Sequence, residues 1–158
     1  MNVETILENF KKQQILSVDE IFSIRTDDTL RAELVEHFRT HRDRPFALAL
    51  LNKFIELRED LKNEISINDL MLASFILGKH GKVEDCLKVW EAKRVDFDTY
   101  CGVDIQLVPF AGVNETIAFL ETQNDTEAKA ALKYVTACAD GGDFDELEDY
   151  YNDTPWWI

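Results

Sequence analysis

No stretch of the chain approaches the ~20 consecutive apolar residues that a membrane-spanning helix requires. The N-terminal MNVETILENFKKQQ has neither the basic start nor the apolar core of a secretory leader, so a cytoplasmic protein is expected. Cysteine is scarce and odd in number. Cys86, Cys101 and Cys138 each fall in a predicted helix among apolar neighbours, which predicts buried, reduced thiols rather than a disulfide framework. The two-residue alternation of a half-buried strand is missing at any useful length. Most informative is a local shortage of bases. Residues 95–158 carry only Lys129 and Lys133 against 14 acids, a balance of −12, whereas residues 1–94 hold 15 Lys and Arg against 17 Asp and Glu, a balance of −2. Phosphate contacts need clustered Lys and Arg, so direct nucleic-acid binding is disfavoured, and an anionic membrane surface would repel the chain. What such a surface favours is a basic partner.

What is present is helical pattern. The 158 residues are 46% hydrophobic and 30% charged, as expected of one globular domain with a proper core. The stretch Ser66 to Lys93 reads as two amphipathic helices folded across Gly78-Lys79-His80-Gly81. Ser66 or Asn68 caps the first, with Asp69 in capping-box position, and Leu70, Ala73, Ile76 and Leu77 form its inner face. Gly78 and Gly81 end it, and Val83, Cys86, Leu87 and Trp90 line the second helix. So short a turn predicts antiparallel packing of the two.

Upstream, Asn2 caps a helix carrying Val3, Ile6, Leu7 and Phe10. Ser17 and Glu20 form a capping box opening a short helix with Ile21 and Phe22, and residues 26–28 start another with Leu30, Leu34, Val35 and Phe38. Asp43 and Pro45 open the longest apolar helix, whose Phe46, Leu50, Leu51, Phe54, Ile55 and Leu61, widened by Leu48 and Leu57, predict a central position. Downstream, Asp98 or Thr99 is expected to cap a helix with Val103, Leu107 and Phe110, which Pro109 should distort or end. Gly112 or Asn114 starts the next, with Ile117 and Leu120 inward. Asn124 or Asp125 caps a helix bearing Ala128, Ala131, Leu132, Val135 and Cys138, which Gly141-Gly142 breaks. A last short helix and the tail NDTPWWI follow.

Three windows share a pattern: GKVEDCLKVW from Gly81, AGVNETIAFL from Ala111 and GDFDELEDYY from Gly142, offset by 30 and 31 residues. A period in this range predicts an all-α fold of antiparallel helix pairs stacked as a short solenoid-like single domain. The expected plan is N-terminal helices over 1–64, helix-pair repeats over 66–151 and an aromatic tail over 152–158. The glycine-ended hairpins resemble the tetratricopeptide and related HEAT-like helix-pair repeats. Leu77-Gly78 matches the Leu-Gly of the tetratricopeptide pattern, but Gly81 stands where its aromatic residue belongs, so no ligand-binding residue carries over. Size, acidity and helical character are also similar to those of small bacterial immunity proteins that neutralise toxins.

Candidate chemistry is sparse, and no enzyme activity, metal or cofactor is expected. His37 and His41, with Glu33 one turn earlier, would suit zinc, but the His-Glu-x-x-His motif is absent and Arg39, Arg42 and Arg44 oppose a cation. His80 is expected to cap carbonyls, and Cys101, read as starting a helix beside Gly102, to be a small buried residue. Neither a Gly-Gly-Asp-Glu-Phe cyclase signature nor an EF-hand loop fits the acids after Asp140. The predicted partner-binding residues are Asp140, Asp143, Asp145, Glu146, Glu148, Asp149, Tyr150, Tyr151, Trp156 and Trp157, with Asp153 adding a seventh acid. As anchors ringed by steering charge they predict a non-catalytic inhibitor or immunity-type protein for a basic, nuclease-like toxin. The alternatives are a helical-repeat adaptor whose groove between helix pairs takes a peptide of a cellular complex, the acids merely keeping it soluble, and, third, a metal-dependent enzyme.

Overall fold

The computed structural model describes residues 1–60 and 65–158. The described residues form ten α-helices: α1 Val3–Gln13, α2 Val18–Thr26, α3 Asp28–Thr40, α4 Arg44–Glu59, α5 Ile67–Gly78, α6 Cys86–Lys93, α7 Phe97–Gly102, α8 Val113–Glu121, α9 Thr126–Gly141 and α10 Leu147–Asn152. Short 3-10 turns lie at Val83–Asp85 and Ile105–Leu107, and no strand occurs among the described residues. The fold is an all-α single domain in which consecutive helices pack as pairs: α2 on α3, α4 on α5, α8 on α9. No helix among the described residues is long and apolar enough to cross a membrane.

Helix starts follow local chemistry. Asn2, Asp27, Asp43 and Asp125 each accept a backbone N–H three residues on, and Ser17–Glu20 and Ser66–Asp69 form reciprocal capping boxes. On α2, Ile21 is buried while Phe22 is 60% exposed, because neighbours on a helix point about 100° apart.

The centre of the molecule is α5 rather than α4. Every residue from Asp69 to Gly78 is buried, and α3, α4, α6, α7 and the Ile105–Leu107 turn all pack on this helix. A helix apolar on all sides must be enclosed on all sides. On α4, Phe46, Leu50, Leu51, Phe54 and Ile55 are buried and Leu48 and Leu57 half-buried, while Leu61 lies outside the described residues. Leu77 and Trp90, one on each arm of the predicted hairpin, are both buried. Buried apolar side chains from α1 to Trp157 form one cluster.

Ion pairs link segments far apart in the chain. Arg31 of α3 reaches Asp69 of α5 at 2.6 Å with both side chains buried, and Arg44 of α4 pairs with the buried Asp85. Asp69 thus serves its own helix start and a cross-link at once.

The segment between α6 and α8 departs from the sequence reading. Asp96, not Asp98 or Thr99, caps α7, with Thr99 as the reciprocal partner of its capping box. Cys101 and Gly102 therefore end a helix instead of starting one. Val103 to Phe110 is not helical beyond the Ile105–Leu107 turn. Pro109 has no N–H to return to Ile105, and the Ile105 carbonyl accepts from Val108 instead. The three windows do share one feature: Gly81, Gly112 and Gly142 have φ of +63°, +115° and +84°, the positive-φ glycines among the described residues. The left-handed turn recurs; the helix expected before the second one does not.

Candidate functional site

The acidic segment begins where α9 ends. Gly142 takes the left-handed conformation, and the Asp143 N–H donates back to the Cys138 carbonyl at 3.0 Å, reversing the chain. Turns carry it to α10, and the tail then crosses α3 and α5. Two cations from the balanced half of the chain hold that crossing. Arg39 donates to the carbonyls of Tyr151 (3.0 Å) and Asp153 (2.8 Å), and Lys79 donates to the Tyr151 carbonyl at 3.3 Å. Burial, then Arg39 and Arg42, lower the Lys79 pKa. These cations bind backbone at the C-terminal end of α10, where helix carbonyls lack partners, and leave the neighbouring carboxylates unpaired.

The aromatics divide by depth. Tyr151 stacks on Phe110 with ring centroids 3.8 Å apart and donates its hydroxyl to the Gln106 carbonyl at 2.6 Å. Trp157, 3% exposed, meets the Phe75 ring edge-on at 5.8 Å. Both therefore pack into the core and present no free ring. Tyr150 is half-buried and Trp156 is 69% exposed. One oxygen of Asp104 accepts from the Tyr150 hydroxyl (2.8 Å) and the Trp156 indole (2.9 Å), and the Trp157 indole donates to Tyr150 at 3.4 Å. Burial raises the hydroxyl pKa of both tyrosines, which keeps them as donors. The exposed indole is thus fixed in direction by a hydrogen bond beneath it.

Asp140, Asp143, Asp145, Glu146, Glu148, Asp149 and Asp153 are all exposed. Asp143, Asp145, Glu146, Asp149 and Asp153 line one open cleft of about 510 Å³ with Tyr150, and no Lys or Arg contributes to it. Among the described residues no salt bridge uses any of the seven. Nor does any group of three His, Cys, Asp or Glu side chains converge there as a metal ion would need; the acids spread along a surface.

Asp104, Gln106, Arg39 and Lys79, which position this surface, were not among the predicted residues. Their contacts to the tail span 45 to 114 positions, so no local pattern marks them. The other candidates are placed as follows. His37 and His41 stack at 4.1 Å near the surface, with His41 Nδ1 facing the His37 carbonyl; burial and then His41 lower the His37 pKa. Glu33 lines the same shallow surface pocket. His80 accepts the Asp43 N–H at Nε2 (3.0 Å), which assigns the ring proton to Nδ1, facing the Ile76 and Leu77 carbonyls at 3.0 and 3.2 Å. It caps α5, as its position in the turn predicts. Of the cysteines only Cys86 is buried, its thiol pushed up to about 12 by desolvation; Cys138 is half-buried and Cys101 exposed. The expectation that Cys101 is enclosed fails because it sits on the outer side of the last turn of α7.

No protein-family model, curated protein or solved structure matches the chain.

Proposed function

We propose that the chain is a non-catalytic protein-binding protein, an acidic inhibitor of the immunity type that neutralises a basic, nuclease-like toxin in the bacterial cytoplasm by direct binding. One observation carries this reading: seven exposed carboxylates free of ion pairs among the described residues, beside an exposed indole fixed by Asp104. A toxin that acts on nucleic acid needs a cationic cleft to hold phosphates. Carboxylates spaced along a turn and a short helix can fill that cleft as phosphates would. Their field speeds encounter, while an aromatic side chain that covers apolar surface slows escape. Because Trp156 is already oriented, little side-chain freedom is lost when a partner covers it. Tyr151 and Trp157 contribute from below, by anchoring the segment to α5.

The test uses a basic protein that the chain retains from native lysate, purified and titrated against it. Asp145→Asn, Glu146→Gln, Glu148→Gln and Asp149→Asn together are expected to slow association by roughly ten- to a hundredfold at low salt and to flatten its salt dependence. Trp156→Ala should instead raise the dissociation rate. An association rate that is unchanged by the four amides at every salt concentration overturns the reading.

A further inference from the structure

A second concavity, sharing no residue with the acidic cleft, opens where the C-terminal end of α4, the outer face of α6 and the start of α9 meet. Its volume is about 390 Å³, within the range of sites that hold a ligand or a few peptide side chains. The floor is apolar: Leu87 and Val95 are half-buried there, and the Trp90 ring lies beneath them, 2% exposed. The walls carry four carboxylates, Glu59, Glu91, Asp125 and Glu127, against one guanidinium, Arg94, a local balance of −3.

That one cation is already committed. Arg94 lies 5.7 Å from the Trp90 and Tyr100 ring centroids and pairs with Glu127 at 3.3 Å, while Glu127 also accepts the Trp90 indole N–H at 3.0 Å. Glu91 pairs with Lys88 one turn earlier at 2.6 Å, which brings the balance around the groove to −2. Glu59 has no ion pair among the described residues, and Asp125 spends one oxygen on capping α9. The groove therefore presents a net negative wall over an apolar floor, built on the ends of α4 and α9, on α6 and on the residues that follow α6. An anionic ligand would meet uncompensated repulsion. A bare cation would find no converging ligand set. An aliphatic residue flanked by Lys or Arg satisfies both parts.

We infer that this groove docks a short basic, amphipathic segment of a partner protein, with an aliphatic side chain over Leu87 and Val95 and its Lys or Arg side chains against the Glu59 and Glu91 wall. The site is separate from the acidic face proposed above and stands or falls apart from it.

The three indole N–H resonances make the test local. Trp90 reports on the groove, Trp156 on the acidic face, and Trp157 is a buried control. The probe is a synthetic peptide of alternating leucine and arginine pairs, titrated into the full chain, with a second peptide carrying glutamate for arginine. The expected result is a saturable shift of the Trp90 resonance by the arginine peptide alone. Glu59→Lys with Glu91→Lys, both at exposed positions, should weaken that binding by about tenfold or more, whereas the four amide substitutions on the acidic face should leave it within about twofold. If only Trp156 shifts, if no indole shifts, or if the Trp90 shift survives the charge reversal, the groove is not such a site. Circular dichroism of the reversed variant guards against loss of fold; should it unfold, Leu87→Glu, on the half-buried floor, is the replacement and carries the same expectation.

Discussion

Lys93 is 2% exposed, yet its amine meets no carboxylate within salt-bridge distance among the described residues. Nζ donates to the carbonyls of Tyr100 and Val103, each at 2.6 Å, and lies 5.5 and 5.4 Å from the Tyr100 and Tyr134 ring centroids. Two carbonyls are what a neutral amine can satisfy; a charged one adds a third N–H that only the rings can receive. Burial accordingly lowers the Lys93 pKa, opposed by the weaker influence of Asp104 and the two nearby cysteines. The unfolded chain then keeps this proton to higher pH than the folded chain. Between the depressed folded value and the ordinary value near about 10.4, stability therefore rises with pH. Tyr134, Tyr150 and Tyr151, whose values are raised, act in the opposite sense at about pH 10 and above, and the raised thiols of Cys86 and Cys138 do so from about pH 8.5, where unfolded cysteine ionises. In urea titrations from about pH 7 to about pH 9.5 the stability of the wild type relative to Lys93→Met should grow with pH. Lys93→Met should lower stability at neutral pH by roughly 1–3 kcal/mol, since two buried carbonyls lose their donor. A variant with the same pH slope as the wild type would show that Lys93 remains charged in both states.

At the level of the helix, what could be read from sequence was what the chain decides within three or four residues. The caps at Asn2, Ser17, Asp43, Ser66 and Asp125 are local bargains between one side chain and one N–H, and each stands where its spacing puts it. The start of α7 was two residues off because Asp96, Asp98 and Thr99 are all competent, and only the pairing of Asp96 with Thr99 decides among them. The central place of α5 was legible in its unbroken LMLASFILG, though a one-sided face was the simpler reading. What no periodicity carries is the partner of a side chain far along the chain. Gly78 is the clearest case. Read as a helix stop with left-handed freedom, it has no positive φ; a Cβ there would overlap the Phe110 ring, which packs flat against the end of α5. Gly78→Ala would ordinarily stabilise a helix by roughly 1 kcal/mol. Here it should destabilise the protein by roughly 1–3 kcal/mol through overpacking and disturb Tyr151, which stacks on Phe110. Adding Phe110→Leu should recover part of the loss, read as a coupling in a double-mutant cycle of denaturation midpoints. Should Gly78→Ala be neutral or stabilising, the ring has room to move and α5 does not need glycine there.

For the whole molecule, charge and fold are arranged at cross purposes in the last third of the chain. The cations that reach it, Arg39 and Lys79, hold the carbonyls of Tyr151 and Asp153, and Trp157 and Tyr151 lock the segment to the core. None of this neutralises the seven carboxylates, so a net charge of −14 is left partly concentrated on one surface, where it repels itself. Such repulsion is strongest when the Debye length is long, about 30 Å at 0.01 M salt, and is largely screened at about 1 M. Glu148 and Asp149 gain something back from the first turn of α10, but that gain is confined to two residues and is screened as well. The variant with Asp145, Glu146, Glu148 and Asp149 replaced by amides should therefore melt at a higher temperature than the wild type in low salt, and the two melting curves should converge as salt is added. Stability would rise in the very substitution that slows capture of a basic partner, the trade expected of charges retained for binding. If the amide variant melts lower at low salt, these acids serve the fold, and the case for a partner-facing surface loses its physical basis.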